Sequence, residues 1–323
     1  MSIDLFALAC ALHAAPGLAA KTDIGLATAR LGLSGALPVP TGDDCAAIPD
    51  GDGWLLFAIE GFINEFVAAD PWFAGWCGVM VNLSDIAAMG GRPIALVDAL
   101  WAEGEAGADP LLAGLRAASD QFGAPLVGGH TNLRAGHGQL SVAALGRAKR
   151  LLTSFDARPG DRLIAAIDLR GRYRDPFPNW DAATSAPAER LRGDLELLPQ
   201  IAEAGLSRAA KDISQAGLVG TAAMLAECSG VSITIDVAAA PRPAGIPLER
   251  WLTSFPSFGY LIAAAPADAP AINARFSARG IAAAEIGEVA AGGRVAITDG
   301  VSCETIFDHS SRPLLGCGPR RVA

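Results

Sequence analysis

Several polar side chains in this sequence stand where a simple apolar core would not place them. In Thr41-Gly42-Asp43-Asp44-Cys45 two adjacent acids follow a glycine and precede an apolar run. Side by side they repel one another unless a cation or hydrogen-bond donors compensate. Glu60 closes the apolar run 54–60, so its carboxylate must be paired, hold a metal or reach solvent. Asn82 and Asp85, three apart, share one face of an otherwise hydrophobic helical segment. A polar pair in such a place suits a hard cation or a network of water around phosphate. Gly128-Gly129-His130-Thr131 and Lys211-Asp212-Ile213-Ser214-Gln215 both read as strand-to-loop transitions, and glycines there let backbone approach a ligand. Each feature alone also has a plainer reading. Gly-Asp-Asp is common in solvated turns, Glu60 could sit at an edge, Asn82 and Asp85 could mark a wet helix face, and a single histidine usually just packs.

The elements that must position these residues follow from hydrophobic period and punctuation. Residues 54–60 read as a buried strand. Trp72, Phe73, Trp76, Val79, Met80, Leu83 and Ala87 recur at helical spacing, with Pro71 in the first turn and Gly90-Gly91 as the stop. Residues 93–101 form a strand, and Asp109-Pro110 is expected to start a helix that ends at Gly123. Residues 139–145 are a further strand. A polar stretch ending in the turn Arg158-Pro159-Gly160-Asp161 separates two halves, 1–150 and 151–323. In the second half, strands are expected at 162–169, 231–237, 258–265, 281–289 and 295–298. Helices are expected at 188–204, 215–228 and 269–279, and residues 170–187 as an irregular loop.

Length and composition narrow the function classes. A chain of 323 residues, just over half of them apolar, suits two domains of about 150 residues and has ample core. A net charge of −9 argues against a nucleic acid partner, which needs clustered Lys and Arg. The best candidate membrane segment, 72–89, is broken by Asn82, Ser84 and Asp85, and no run of about 18 apolar residues remains. The start, Met1-Ser2-Ile3-Asp4, lacks a basic leader region, so a cytoplasmic protein is expected. Six scattered cysteines without a CxxC pair fit reduced thiols, most of them buried, with Cys10 placed in the core.

Taken in order, Gly-Asp-Asp, a strand-end acid, Asn-Leu-Ser-Asp-Ile-Ala-Ala-Met-Gly, Gly-Gly-His-Thr and Asp-Ile-Ser-x-x-Gly-Leu resemble the aminoimidazole-ribonucleotide synthetase superfamily. That superfamily includes thiamine-monophosphate kinase, selenophosphate synthetase and formylglycinamidine ribonucleotide synthetase. The likeness spans about residues 21–265, and 82–90 looks very like the kinase segment. It implies a two-domain α/β (α+β) fold whose N-terminal domain contributes to an interface β-barrel in a homodimer, with an α/β C-terminal domain. It also implies ATP and Mg²⁺ held by clustered acids rather than a P-loop, of which this chain has no match. Carried onto this sequence, Asp43, Asp44, Glu60, Asp85 and Asp212 are the expected metal ligands. Lys21, Asn82, Gly128, Gly129, His130, Thr131 and Gln215 are expected near the nucleotide. No residue reads as a covalent nucleophile, so direct transfer from ATP to a small-molecule amide, formyl or phosphate oxygen is expected. The alternatives are a small-molecule phosphate kinase and a nucleotide-binding partner without turnover. Gln215 stands where the kinase has an acid, and Phe255-Pro256-Ser257-Phe258-Gly259 stands in place of its Gly-Gly-Glu-Asp segment, so the resemblance to thiamine-monophosphate kinase does not by itself carry over thiamine-phosphate specificity.

Overall fold

The computed structural model describes residues 3–33 and 38–318. The chain divides into two compact units, one formed by Cys45–Leu151 with Ala183–Gln200 and the other by the remaining residues.

The first unit is built on five strands: β1 (Ala46–Asp50), β2 (Gly53–Gly61), β3 (Arg92–Glu103), β4 (Leu126–Asn132) and β5 (Arg134–Ala148). They lie in the order β1-β2-β5-β3-β4, antiparallel except for the parallel β3–β4 pair. Helices Pro71–Ala88 and Gly104–Phe122 cover one face. The first is capped as its sequence suggests, with the Asp70 carboxylate accepting from Phe73 N–H at 3.2 Å and Pro71 at its start. Phe73, Trp76, Val79, Leu83 and Ile86 are buried from it. The two helices touch backbone to backbone. A Cβ at Gly75 would lie 2.2 Å from the Leu111 oxygen, and one at Gly114 would lie 1.9 Å from the Trp72 oxygen. The opposite sheet face leaves Phe57 50% and Ile59 68% exposed, so β2 is buried on one side only. The sheet is open, and no closed barrel occurs among the described residues.

Two further expectations for this unit need correction. The second helix begins at Gly104 rather than Asp109, with Pro110 inside it. Pro110, the seventh residue of that helix, forgoes one i→i−4 hydrogen bond, a local cost that the burial of Ala108, Leu111, Leu115, Ala118 and Phe122 offsets. Gly128-Gly129-His130-Thr131 is not a loop but the body of edge strand β4, because β3 supplies a parallel partner for each residue.

The second unit carries a seven-stranded mixed sheet. Its strands are β6 (Arg162–Ile167), β9 (Ala209–Asp212), β10 (Val231–Asp236), β12 (Gly259–Ala264), β13 (Ala282–Ala291), β14 (Arg294–Thr298) and β15 (Cys303–Asp308), ordered β15-β14-β10-β13-β6-β12-β9. Strands β7 (Arg172–Tyr173), β8 (Asn179–Asp181) and β11 (Phe255–Pro256) form a small separate sheet, so 170–187 is more ordered than an irregular loop. Helix Gly217–Ser229, nearly all of it buried, packs on β10, and Leu5–His13 packs on β15. That N-terminal helix presents Cys10 to solvent, not to the core, because Leu5, Leu8 and Leu12 occupy its inner face. The expected 188–204 helix is two helices, Ala188–Leu195 and Leu197–Glu203.

Candidate active site

In the second unit the chain approaches β1 through residues 41–44, and Gly42 adopts φ 125°, which only glycine holds without strain. A Cβ added at Gly42 would also lie 2.6 Å from the Cβ of Cys317, so the turn has no room for a side chain. This turn aims Asp43 and Asp44 at neighbouring elements of the same unit. Asp43 accepts from Ser154 N–H at 2.9 Å and from Ser154 Oγ–H at 2.7 Å. Asp44 is ion-paired with the Lys211 ammonium and accepts from Asp212 N–H at 3.3 Å. Lys211 and Asp212 sit at the end of β9, an edge strand whose four residues are all buried.

The electrostatics of this cluster are strained. Burial and the adjacent Asp44 push the Asp43 carboxyl up to about 6, against the opposing pull of Lys211 and Ser154. Burial alone would push Lys211 down, yet Asp44, Asp43 and Asp212 together raise it above the ordinary lysine range. Three carboxylates against one ammonium leave two uncompensated negative charges when all are ionised. Oxygen donors alone, from a turn and a strand end, suit a hard divalent cation such as Mg²⁺. Lys211 was not singled out from the sequence, although a signal was there: a lysine inside the run Ala209-Ala210-Lys211-Asp212 must find an acid if that strand is buried. Ser154 left no comparable trace.

The remaining expected site residues are distributed as follows. Gln215 is exposed in the same unit, between β9 and the helix Gly217–Ser229. Lys21 directly precedes helix Thr22–Leu31 and makes no ion pair with the acids among the described residues. In the first unit, Asp85 is buried on helix Pro71–Ala88, one turn from Asn82. Asn82 is fully buried and donates both amide hydrogens to backbone, to Gly78 O at 2.8 Å and Val142 O at 3.0 Å, which ties the helix to β5. Glu60 lies near the exposed end of β2, where its carbonyl accepts from Ser141 Oγ–H at 2.9 Å. His130 is exposed on β4 with its ring 5.7 Å from that of Trp101, while Gly128, Gly129 and Thr131 flank it along the strand. A Cβ at Gly129 would fall 2.5 Å from Asp98, so that glycine serves close strand packing.

Residues 42–148 match the family model for the AIR synthase related protein N-terminal domain, and residues 179–300 match its C-terminal domain. An uncharacterised protein of Synechocystis sp. is 46% identical over 93% of this chain and 94% of its own length. A selenide, water dikinase of Geobacter metallireducens is 33% identical over 72% of each chain. Among solved structures, T. maritima PurL complexed with ATP superposes with a TM-score of 0.70 at 20% identity, over 86% of this chain. That match covers 47% of the PurL chain, so the present chain spans about half the length of that relative.

Proposed function

The chain belongs to the AIR synthase related protein family, and on that premise we propose that it is a Mg-ATP-dependent enzyme acting on a small molecule. The observation that carries this reading is the buried set Asp43, Asp44, Lys211 and Asp212, with its excess of negative charge. A triphosphate is itself strongly anionic, so carboxylates can face it only through bridging divalent cations. Asp43, Asp44 and Asp212 would hold Mg²⁺, and Asp85 joins them in this proposal from its place in the 82–90 motif alone. Glu60 enters on its place in the same sequence pattern. Bound magnesium supplies charge neutralisation for phosphoryl transfer.

The chain's own residues perform the remaining tasks. Ser154 fixes the Asp43 carboxylate in one orientation through two hydrogen bonds. Lys211 balances Asp44 before ligand arrives and is free to share its charge with a phosphate oxygen afterwards. Asn82 positions the helix that carries Asp85. Lys21, Gln215 and the strand 128–131 are proposed to face the nucleotide or its acceptor. Direct transfer of phosphate from ATP to an amide, formyl or phosphate oxygen needs positioning and charge compensation rather than a protein nucleophile.

Thermal denaturation tests the central step. ATP with magnesium is expected to stabilise the chain by mass action, about 2.7 kcal/mol at a ligand concentration 100 times its Kd. Asp212→Asn should abolish that shift, and Asp85→Ala should do the same. Equal shifts with magnesium and with chelator would overturn the metal bridge. Phosphate release against a panel of metabolites then separates turnover from simple nucleotide binding.

A further inference from the structure

The second unit contains a cavity of about 900 Å³ that shares no lining residue with the acid cluster. Its walls include Glu227, Ser232, Gly292, Gly293, Arg294 and His309. The volume falls within the range of small-molecule pockets, about 300–1,000 Å³. What distinguishes it from an ordinary surface hollow is the state of two side chains.

His309 is 8% exposed and lines the cavity. Its Nδ1 lies 3.2 Å from Glu227 Oε2, yet neither ring nitrogen has a hydrogen-bond partner among the described residues. A buried ring nitrogen without a partner costs free energy that a bound group or water would recover. Glu227 cannot serve a ligand itself, because its oxygens accept from Leu314 N–H at 2.5 Å, Leu315 N–H at 3.0 Å and Gly316 N–H at 2.7 Å. The His309 ring, with both nitrogens unpartnered among the described residues, is left to exchange a hydrogen bond with a group in the cavity it lines. Arg294, 71% exposed, stands at the mouth. Its Nε pairs with Asp308 at 3.1 Å, and its two terminal amino groups make no ion pair among the described residues.

We propose that this cavity binds a small phosphorylated metabolite, of the size of a sugar phosphate or mononucleotide. Its phosphate engages the terminal amino groups of Arg294, whose planar fork matches two phosphate oxygens. A hydroxyl of the ligand exchanges a hydrogen bond with the His309 ring. The site is separate from the acid cluster and needs no metal.

Calorimetric titration of the full chain with ribose 5-phosphate, in the presence of chelator, tests the assignment. Saturable binding with a Kd of about 1 mM or tighter is expected. Arg294→Ala, a change at an exposed position, should weaken it about tenfold, the loss expected for a charge-assisted pair. His309→Asn should weaken it as well, with folding checked by circular dichroism. Asp212→Asn should leave it unchanged, although that variant loses the Mg-ATP shift. Absence of saturable binding, undiminished binding in Arg294→Ala, or loss of binding in Asp212→Asn overturns the proposal and leaves the Mg-ATP reading untouched.

Discussion

At the scale of single residues, Glu227 shows how one buried carboxylate can serve structure while its neighbours are free for chemistry. Burial opposes its charge, but the adjacent His309 imidazole and the N–H groups of Leu314 and Leu315 win, so its carboxyl is held below the ordinary value of 4.5. A carboxyl depressed in the folded state contributes stability that is fully present above its unfolded value, near 4.5, and is lost as pH falls through the lower folded value. Glu227→Gln keeps the shape but loses the charge, and each charge-assisted hydrogen bond is worth about 1.5–3 kcal/mol. Urea unfolding should therefore show the variant less stable by about that amount at neutral pH, with the gap narrowing as pH falls below the unfolded carboxyl value of 4.5. A gap that stays constant with pH would show that Glu227 acts by shape alone. The acids at 43, 44 and 212 were visible from sequence because adjacent carboxylates need explaining wherever they stand. Which partners Lys211 and Ser154 take was not, because that depends on strand β9 and residues 153–154 meeting a turn more than a hundred residues away.

At the scale of elements, the helix pair of the first unit is held by two glycines whose sequence context looks ordinary. In an exposed helix interior, Gly→Ala stabilises by about 1 kcal/mol through backbone entropy. At Gly114 the added Cβ would meet the Trp72 oxygen at 1.9 Å, and such overpacking costs about 1–3 kcal/mol or more. The collision outweighs the propensity gain, so Gly114→Ala should lower the urea midpoint. Gly107→Ala, in the same helix, meets nothing nearer than 3.7 Å and should raise it slightly. If both variants move the midpoint the same way, close helix contact is not what Gly114 provides. Strongly periodic segments such as Pro71–Ala88 and Gly217–Ser229 were legible from sequence, since burial of one face or of all faces writes itself into every turn. The nature of 128–131 was not. Glycine pairs read locally as turns, and only the parallel partner β3 turns them into strand. Nor does the composition of residues 3–33 tell which half they pack against; Leu5, Leu8 and Leu12 could fill either core, and they join that of the second unit.

At the scale of the whole molecule, the uncovered face of the first unit's sheet sets the last expectation. Register places Phe57 opposite Leu145, and Ile59 opposite Ala143, which in turn faces Val97 on β3. These residues make a continuous apolar row across three strands, with Phe57, Ile59 and Val97 at 50%, 68% and 41% exposure. Single exposed apolar residues are ordinary, but a contiguous sheet face of this kind marks an interaction surface. The sheet is open at β1 and β4, so a second copy of the chain can cover the face and complete a barrel between subunits, as the family resemblance implies. A stable interface needs about 1,000 Å² or more of buried surface, so the dimer expected here must use the flanks of this row as well as the row itself. Light scattering at micromolar concentration is expected to give a dimer. Ile59→Lys puts a charge on the most exposed residue of the row without touching the buried side of the sheet, so the variant should fold and run as a monomer. A monomeric parent chain would refute the dimer outright. A dimeric Ile59→Lys variant would move the interface to another face, and the apolar row would then need a different occupant.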